Sequence, residues 1–482
     1  NQLTIFDTTN EIDPIYKTID MVFNQIPYYS PTGMFVDDKY LVVVLNVYDM
    51  NIQNDNFTES DQNTETHVYV FDKHDDFKLD NNYVIDGAIK EVSKNNQRLM
   101  LITEHAIPFS KEELNVDNYL PTYFINGIAN KSSYNDIRYI QGTNPKVFLT
   151  TSTINLETNH IDQEILLTDN QHHIYMTQNA VYFSILSHDF VETSETFVLS
   201  EPVEKTYTSL TQINFERDVV RYHTTNMLEG KIADANSIHA YDNQLCIGTI
   251  EKSNDIYINR VYILDDSLQV LAKTSINNEN NSMMDSIRFI NHHAYIAYQD
   301  SSLPFTVIDL DNLDKDSVET IEFSSYLHKI NNNYALGIGY DDNGNNGIVD
   351  SVNISLYNIS NLDSIYIVDS ETILFSDYGL TVSDALMNKT MIYNSNQRVL
   401  IYPINMFTRI NNSTQQGVLL FDIDFTDGIE YKAFLTHENE IVSFNNYRSV
   451  FHGEYLYTIS NDYVSVSHVD DIDNIIHIYE LN

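Results

Sequence analysis

The residues best suited to chemistry in this sequence are oxygen donors spaced along one short segment. Asp341-Asp342-Asn343-Gly344-Asn345-Asn346-Gly347 sets side-chain oxygens at Asp341, Asn343 and Asn345, and Asp350 follows a few residues on. Alternate oxygen ligands on a tight loop wrap a hard cation such as Ca²⁺. The twelfth loop position, where a bidentate Glu completes many calcium loops, is Val352 here. Asn-Gly runs are also ordinary turn formers, so a plain loop stands beside the calcium reading of Asp341, Asn343, Asn345 and Asp350.

Histidines supply the second set of candidates. His328 follows Tyr326 and Leu327 near the start of an apolar strand. From there it either points into a central channel or sits as a satisfied core histidine. The pairs His172-His173 and His292-His293 read as turn residues, and neighbours on an extended chain face opposite ways. Neither pair closes on one metal through both rings, so no zinc site follows. The chain lacks a Gly-x-Ser-x-Gly elbow, a phosphate loop, a zincin helix and a dinucleotide fingerprint. No catalytic or cofactor-binding residue is assigned.

Composition narrows the classes further. Among 482 residues, 69 Asp and Glu face 26 Lys and Arg, a formal net charge of -43 that would repel nucleic acid. Such acidity fits a solvated exterior or cation binding. Cys246 is the only cysteine and lies in an apolar run, so a buried thiol is expected and no internal disulfide can form. No run of about 18 apolar residues marks a membrane span. The chain starts at Asn1, which leaves room for a removed signal peptide or an upstream anchor.

The elements that must position these residues come from a repeat. Two to four polar residues precede an alternating strand eight times, at Asp37-Asp38-Lys39, Asn95-Asn96-Gln97, Gln178-Asn179, Asp242-Asn243, Asn291-His292-His293, Asn331-Asn332-Asn333, Asn394-Ser395-Asn396 and His452-Gly453-Glu454. Asn, Asp and Gly tolerate left-handed turn geometry, so each predicts a hairpin. A second signature is an apolar segment closing on Asp or Asn, at Asp72, Asp265, Asp309, Asn358 and Asp422. Each should cap a turn into a fourth, more polar strand at the outer edge, as in 317–323 or 429–435. The unit is thus an antiparallel four-stranded meander, and radial packing of such sheets protects their edges.

The prediction is an all-β chain forming a single closed β-propeller of about eight four-stranded antiparallel blades over residues 1–482, with seven or nine as alternatives. A surface insertion is expected at about 104–146. A half-blade at 3–23 is expected to close the ring by pairing with C-terminal strands at 463–469 or 475–479.

The order of several phrases resembles a bacterial and archaeal family of secreted or surface proteins with a C-terminal β-propeller domain distantly related to WD40 repeats. Ser286-Ile287-Arg288-Phe289, Leu303-Pro304-Phe305-Thr306-Val307-Ile308-Asp309-Leu310, Ser325-Tyr326-Leu327-His328, Leu336-Gly337-Ile338-Gly339 and Ile354-Ser355-Leu356-Tyr357-Asn358 follow the family's order. Ile85-Asp86-Gly87, Leu120-Pro121, Thr436-His437 and Arg448-Ser449 extend it. Ser302, Lys329 and Asn388 depart from the family's pattern.

The resemblance implies a secreted propeller of unestablished chemistry. Together the readings point to an extracellular or cell-surface, non-catalytic module presenting loops and channel to a protein, glycan or cation. The rivals are a hydrolase or lyase at the channel mouth and a self-assembling envelope protein.

Overall fold

The structure is a computed structural model that describes residues 2–7, 15–20, 28–49, 63–107, 120–140, 143–169, 172–191, 203–232, 235–241, 243–253, 256–276, 281–298, 306–313, 318–319, 326–341, 348–361, 364–375, 378–381, 390–408, 414–437, 447–460 and 462–481. Among the described residues there is no α-helix, and three 3₁₀ turns accompany the strands.

Eight antiparallel sheets follow one another along the chain. The first comprises Tyr28–Val36, Tyr40–Asp49, Asn63–Asp72 and Lys78–Asp86; the second Ala88–Asn95, Arg98–Ala106, Val147–Asn155 and His160–Thr168. The third comprises His172–Met176, Ala180–Val191, Val203–Glu216 and Val219–Glu229. The fourth runs through Ile238–Tyr241, Gln244–Ser253, Ile256–Leu264 and Val270–Ile276. Next come Met284–Ile290, His293–Tyr298, Thr306–Asp309 and Val318–Glu319, then Tyr326–Lys329, Tyr334–Asp341, Ser351–Asn358 and Tyr366–Leu374. The seventh holds Ile392–Asn394, Val399–Thr408, Thr414–Asp424 and Gly428–Leu435; the eighth Arg448–His452, Tyr455–Ile459, Tyr463–His468 and Asp471–Glu480.

All eight predicted hairpins connect the first and second strands of these sheets. Two local devices make them. Asp37, Asn331 and Asn394 accept backbone N–H groups two and three residues on, and the Thr177 hydroxyl does the same. Asn96, Asn243, Asn291 and Gly453 instead take positive φ. The third-to-fourth-strand turns repeat the first device: Asp72, Asn155, Asp265, Asp309, Asn358 and Asp424 each accept the N–H two residues on. In the seventh sheet the strand runs past the expected Asp422, and Asp424 makes the turn. Its carboxyl is held down to about 2 by the Thr426 hydroxyl and the N–H groups of Thr426 and Asp427, with Arg398 beside it.

The chain divides into two compact units, residues 23–287 and residues 1–22 with 288–482. In the first, buried apolar residues occupy both faces of the second strand of the second sheet. Leu99 and Leu101 pack with Tyr40, Val42 and Val44 of the first sheet, while Met100 and Ile102 pack with Val181, Phe183 and Ile185 of the third. A sheet covered on both sides needs a continuous apolar run rather than strict alternation, as Leu99-Met100-Leu101-Ile102 supplies. Each such side chain contributes roughly 1.5–3 kcal/mol on burial. The third and fourth sheets meet through Leu210, Leu228, Leu245 and Ile247. In the second unit the sixth and seventh sheets share Leu336, Ile354, Tyr402 and Phe421, and the seventh and eighth share Ile401, Leu420, Tyr447 and Leu456. Cys246 is buried as expected, and burial pushes its thiol up to about 11.

Much of the excursion at 104–146 is built into the sheets. Its hairpin, Thr122–Ile125 with Ile128–Lys131, extends the first sheet by pairing Tyr123, Phe124 and Ile125 with Ile85, Val84 and Tyr83. Ile137–Tyr139 pairs in parallel with residues 165–167 of the second sheet. Both additions cover outer edges that would otherwise present unpaired backbone groups. At the N-terminus, Gln2–Asp7 pairs with Ile15–Asp20 as a hairpin. The eighth sheet is completed by its own four strands, and among the described residues no ladder joins the hairpin to the expected partners at 463–469 or 475–479.

Candidate functional site

The predicted cation loop is anchored by its ends. Asp341 and Asp350 close it: the Asp350 N–H donates to the Asp341 carbonyl at 3.0 Å, and Asp341 pairs with Ser351 in the ladder. Asp341 is exposed and Asp350 is buried. Asp350 also takes the Phe375 N–H on its carbonyl, and Val349 takes that of Leu380, so the base of the loop is tied to two later segments. The main chain at Asp341 and at Asp350 is thus adjacent. Asn343 and Asn345 lie outside the described residues, as do Ser302, Leu303, Pro304 and Asn388. Among the described residues no three His, Cys, Asp or Glu side chains gather as a metal-holding group.

The histidines separate by environment. His328 lies on the first strand of its sheet, half-buried and stacked on Tyr326 with ring centroids 6.5 Å apart; burial pushes its imidazole below the usual range. His292 sits in its turn, as expected, against Asp311 at 3.0 Å, whereas His293 already opens the second strand of its sheet. His172 and His173 do not: they begin the first strand of the third sheet rather than occupying a turn, because the ladder reaches Ile185 and Ser184 opposite them.

That placement brings together a group that sequence reasoning missed. Glu104, on the second strand of the second sheet, receives Lys90 Nζ at 2.8 Å and stands 3.4 Å from His172 Nε2. His105, one residue on, faces the other way and feels the charge of Asp86. Burial lowers the pKa of both histidines, opposed by Glu104 at His172 and by Asp86 at His105. The only signal in the sequence was the Glu-His pair at the start of the excursion, and nothing local tied it to His172.

Glu104 is positioned by a crossover that recurs. Where the first sheet passes to the second, Gly87 takes φ +98°; where the third passes to the fourth, Gly230 takes φ +90°. Thr66 and Thr208 donate their hydroxyls to the carbonyls of Gly87 and Gly230, both at 2.8 Å. Thr103 and Thr249, on the next sheet, donate to the carbonyls of Asp86 and Glu229. The acidic side chains are used too. Asp86 accepts the N–H and hydroxyl of Thr122, and Glu229 faces Lys273 at 3.4 Å and Arg260 at 3.7 Å.

Successive four-stranded antiparallel meanders, stapled by acid-Gly crossovers and sealed by two-faced apolar strands, define a β-propeller protein. The chain belongs to the beta propeller domain family, whose model matches residues 1–472. It is similar to an uncharacterized protein of Methanocaldococcus jannaschii, 28% identical over 305 residues that cover 61% of this chain and 44% of that one. A second uncharacterized protein, from Archaeoglobus fulgidus, is 28% identical over 166 residues, covering 34% of this chain and 24% of its own length. The chain therefore spans less than half the length of either relative. A solved eukaryotic initiation factor overlaps 86% of this chain and 93% of its own at 10% identity, with a TM-score of 0.33.

Proposed function

We propose that the protein is an exported or cell-surface β-propeller module, its eight sheets the blades of a single closed ring, that binds a protein, glycan or cation through its loops without turning over a substrate. The observation that carries this reading is where the charged chemistry lies. Of the acid–histidine pairs, Glu104 with His172 is held in a seam where the His172 side chain is only 6% exposed, and His292 with Asp311 lies open at a hairpin turn. Exposed carboxylates stand on turns, such as Asp38, Asp75, Asp266, Asp311 and Asp427, as well as on strands, such as Asp80 and Glu430. The family likeness to secreted and surface propellers supports the location, and the net charge of -43 suits a soluble, cation-rich exterior.

Calcium is the cation proposed for the Asp341–Asp350 loop. Its donors are hard oxygens, and the main chain at the two ends of the loop is joined by a hydrogen bond, which supports the reading. Isothermal titration of the purified chain with CaCl₂ is expected to show binding with a Kd on the order of 10⁻⁴–10⁻³ M, the range of extracellular modules. The variant carrying Asp341→Asn and Asp350→Asn should lose it. Equal heats from both proteins would overturn the cation site and leave the protein and glycan readings standing.

A further inference from the structure

We propose that Glu104 and His172 form a proton-operated latch on the seam between the second and third sheets, shut at neutral pH and loosened in acid. The geometry carries it. Lys90 and Glu104 belong to the second sheet and His172 opens the third, so the contact bridges two sheets of one compact unit. His172 shares a strand face with Ile174, and Glu104 with Ile102, and both apolar residues pack in the core between these sheets.

Charge decides the direction. With the imidazole neutral, Lys90 and Glu104 balance each other at 2.8 Å. A proton on His172 sets two cations against one carboxylate in a place where the histidine has almost no solvent. Of the other groups around it, the Asp169 backbone favours the imidazolium, the Asp169 carboxylate is already engaged by Lys146 at 3.7 Å, and His173 disfavours a second positive charge beside it.

Burial and Lys90 accordingly disfavour protonation and outweigh the pull of Glu104. A histidine whose folded pKa lies below its unfolded value of about 6.5 leaves the unfolded chain binding more protons. The seam is therefore most stable above about pH 6.5 and weakens as pH falls below it. His105 and His328 are shifted the same way, so bulk unfolding sums all three; the latch needs a local readout.

That readout is amide hydrogen exchange of the His172–Met176 strand at pH 7.5 and 5.0, corrected for intrinsic rates. Protection in the wild type is expected to fall severalfold on acidification. In His172→Gln the fall should vanish. Lys90→Met keeps the imidazole but lets Glu104 pair with it alone, so the fall should also shrink sharply there, and this variant serves if His172→Gln folds poorly. An unchanged acid fall in both variants, or none in the wild type, would overturn the latch.

Discussion

Replacing Gly87 by alanine is expected to destabilise the protein by about 3 kcal/mol. Two costs combine. Gly87 holds φ +98°, a backbone region that L side chains rarely enter, and an added Cβ would stand 2.6 Å from the carbonyl oxygen of Glu104. That oxygen belongs to the backbone of an inner strand and cannot swing aside. Relief would have to pull the crossover from Thr66 and Thr103, whose hydroxyls hold it, or shift the strand that carries Glu104 to His172. Gly127 provides the control. It also has positive φ, at +79°, but nothing lies within 4 Å of its would-be Cβ, so its alanine variant should cost only about 1 kcal/mol. Urea denaturation of the two variants checks the contrast, and equal losses would mean that the crossover is not tightly packed.

His437→Ala is expected to cost about 3–4 kcal/mol, through a cavity and the loss of two buried hydrogen bonds. The ring is buried between the seventh and eighth sheets, with Nδ1 at 2.9 Å from Ser460 Oγ and Nε2 at 2.9 Å from Ser465 Oγ. Tyr447 and Tyr463 flank it with centroids at 5.2 and 5.8 Å, and the His437 N–H donates to the Tyr447 hydroxyl. One ring nitrogen donates and the other accepts, so the neutral imidazole satisfies both serines at once. His437→Phe fills the space yet removes both hydrogen bonds to the ring, and should recover only part of the loss. Thermal unfolding of the two variants separates packing from hydrogen bonding; a Phe variant as stable as the wild type would show that the serines contribute little.

The turn chemistry was legible in the sequence because it is local. Asp37, Asn331 and Asp265 hold N–H groups two to four residues away, so their type and position suffice to place hairpins. What escaped reading depends on distant partners. That Thr122 would dock on Asp86, or that residues 137–139 would pair in parallel with 165–167, is decided by free sheet edges that no short window displays. The misplaced turn at Asp422 has a simple cause: Asp422 and Asp424 alternate along one strand, and only the N–H groups of Thr426 and Asp427 select the second. His172 looked like a turn residue because its polar neighbours hid a strand whose inward face bears an imidazole. At the candidate cation loop the sequence named four oxygen donors, and the fold explains how Asp341 and Asp350 come together through the hairpin register.

The central claim, an exported propeller that binds through its loops, is tested most directly by location. Intact producing cells exposed to a non-permeant biotin reagent and an added protease should yield a labelled, protease-sensitive chain derived from a processed precursor. An unlabelled, full-length, unprocessed protein recovered only from the cytoplasm would contradict it.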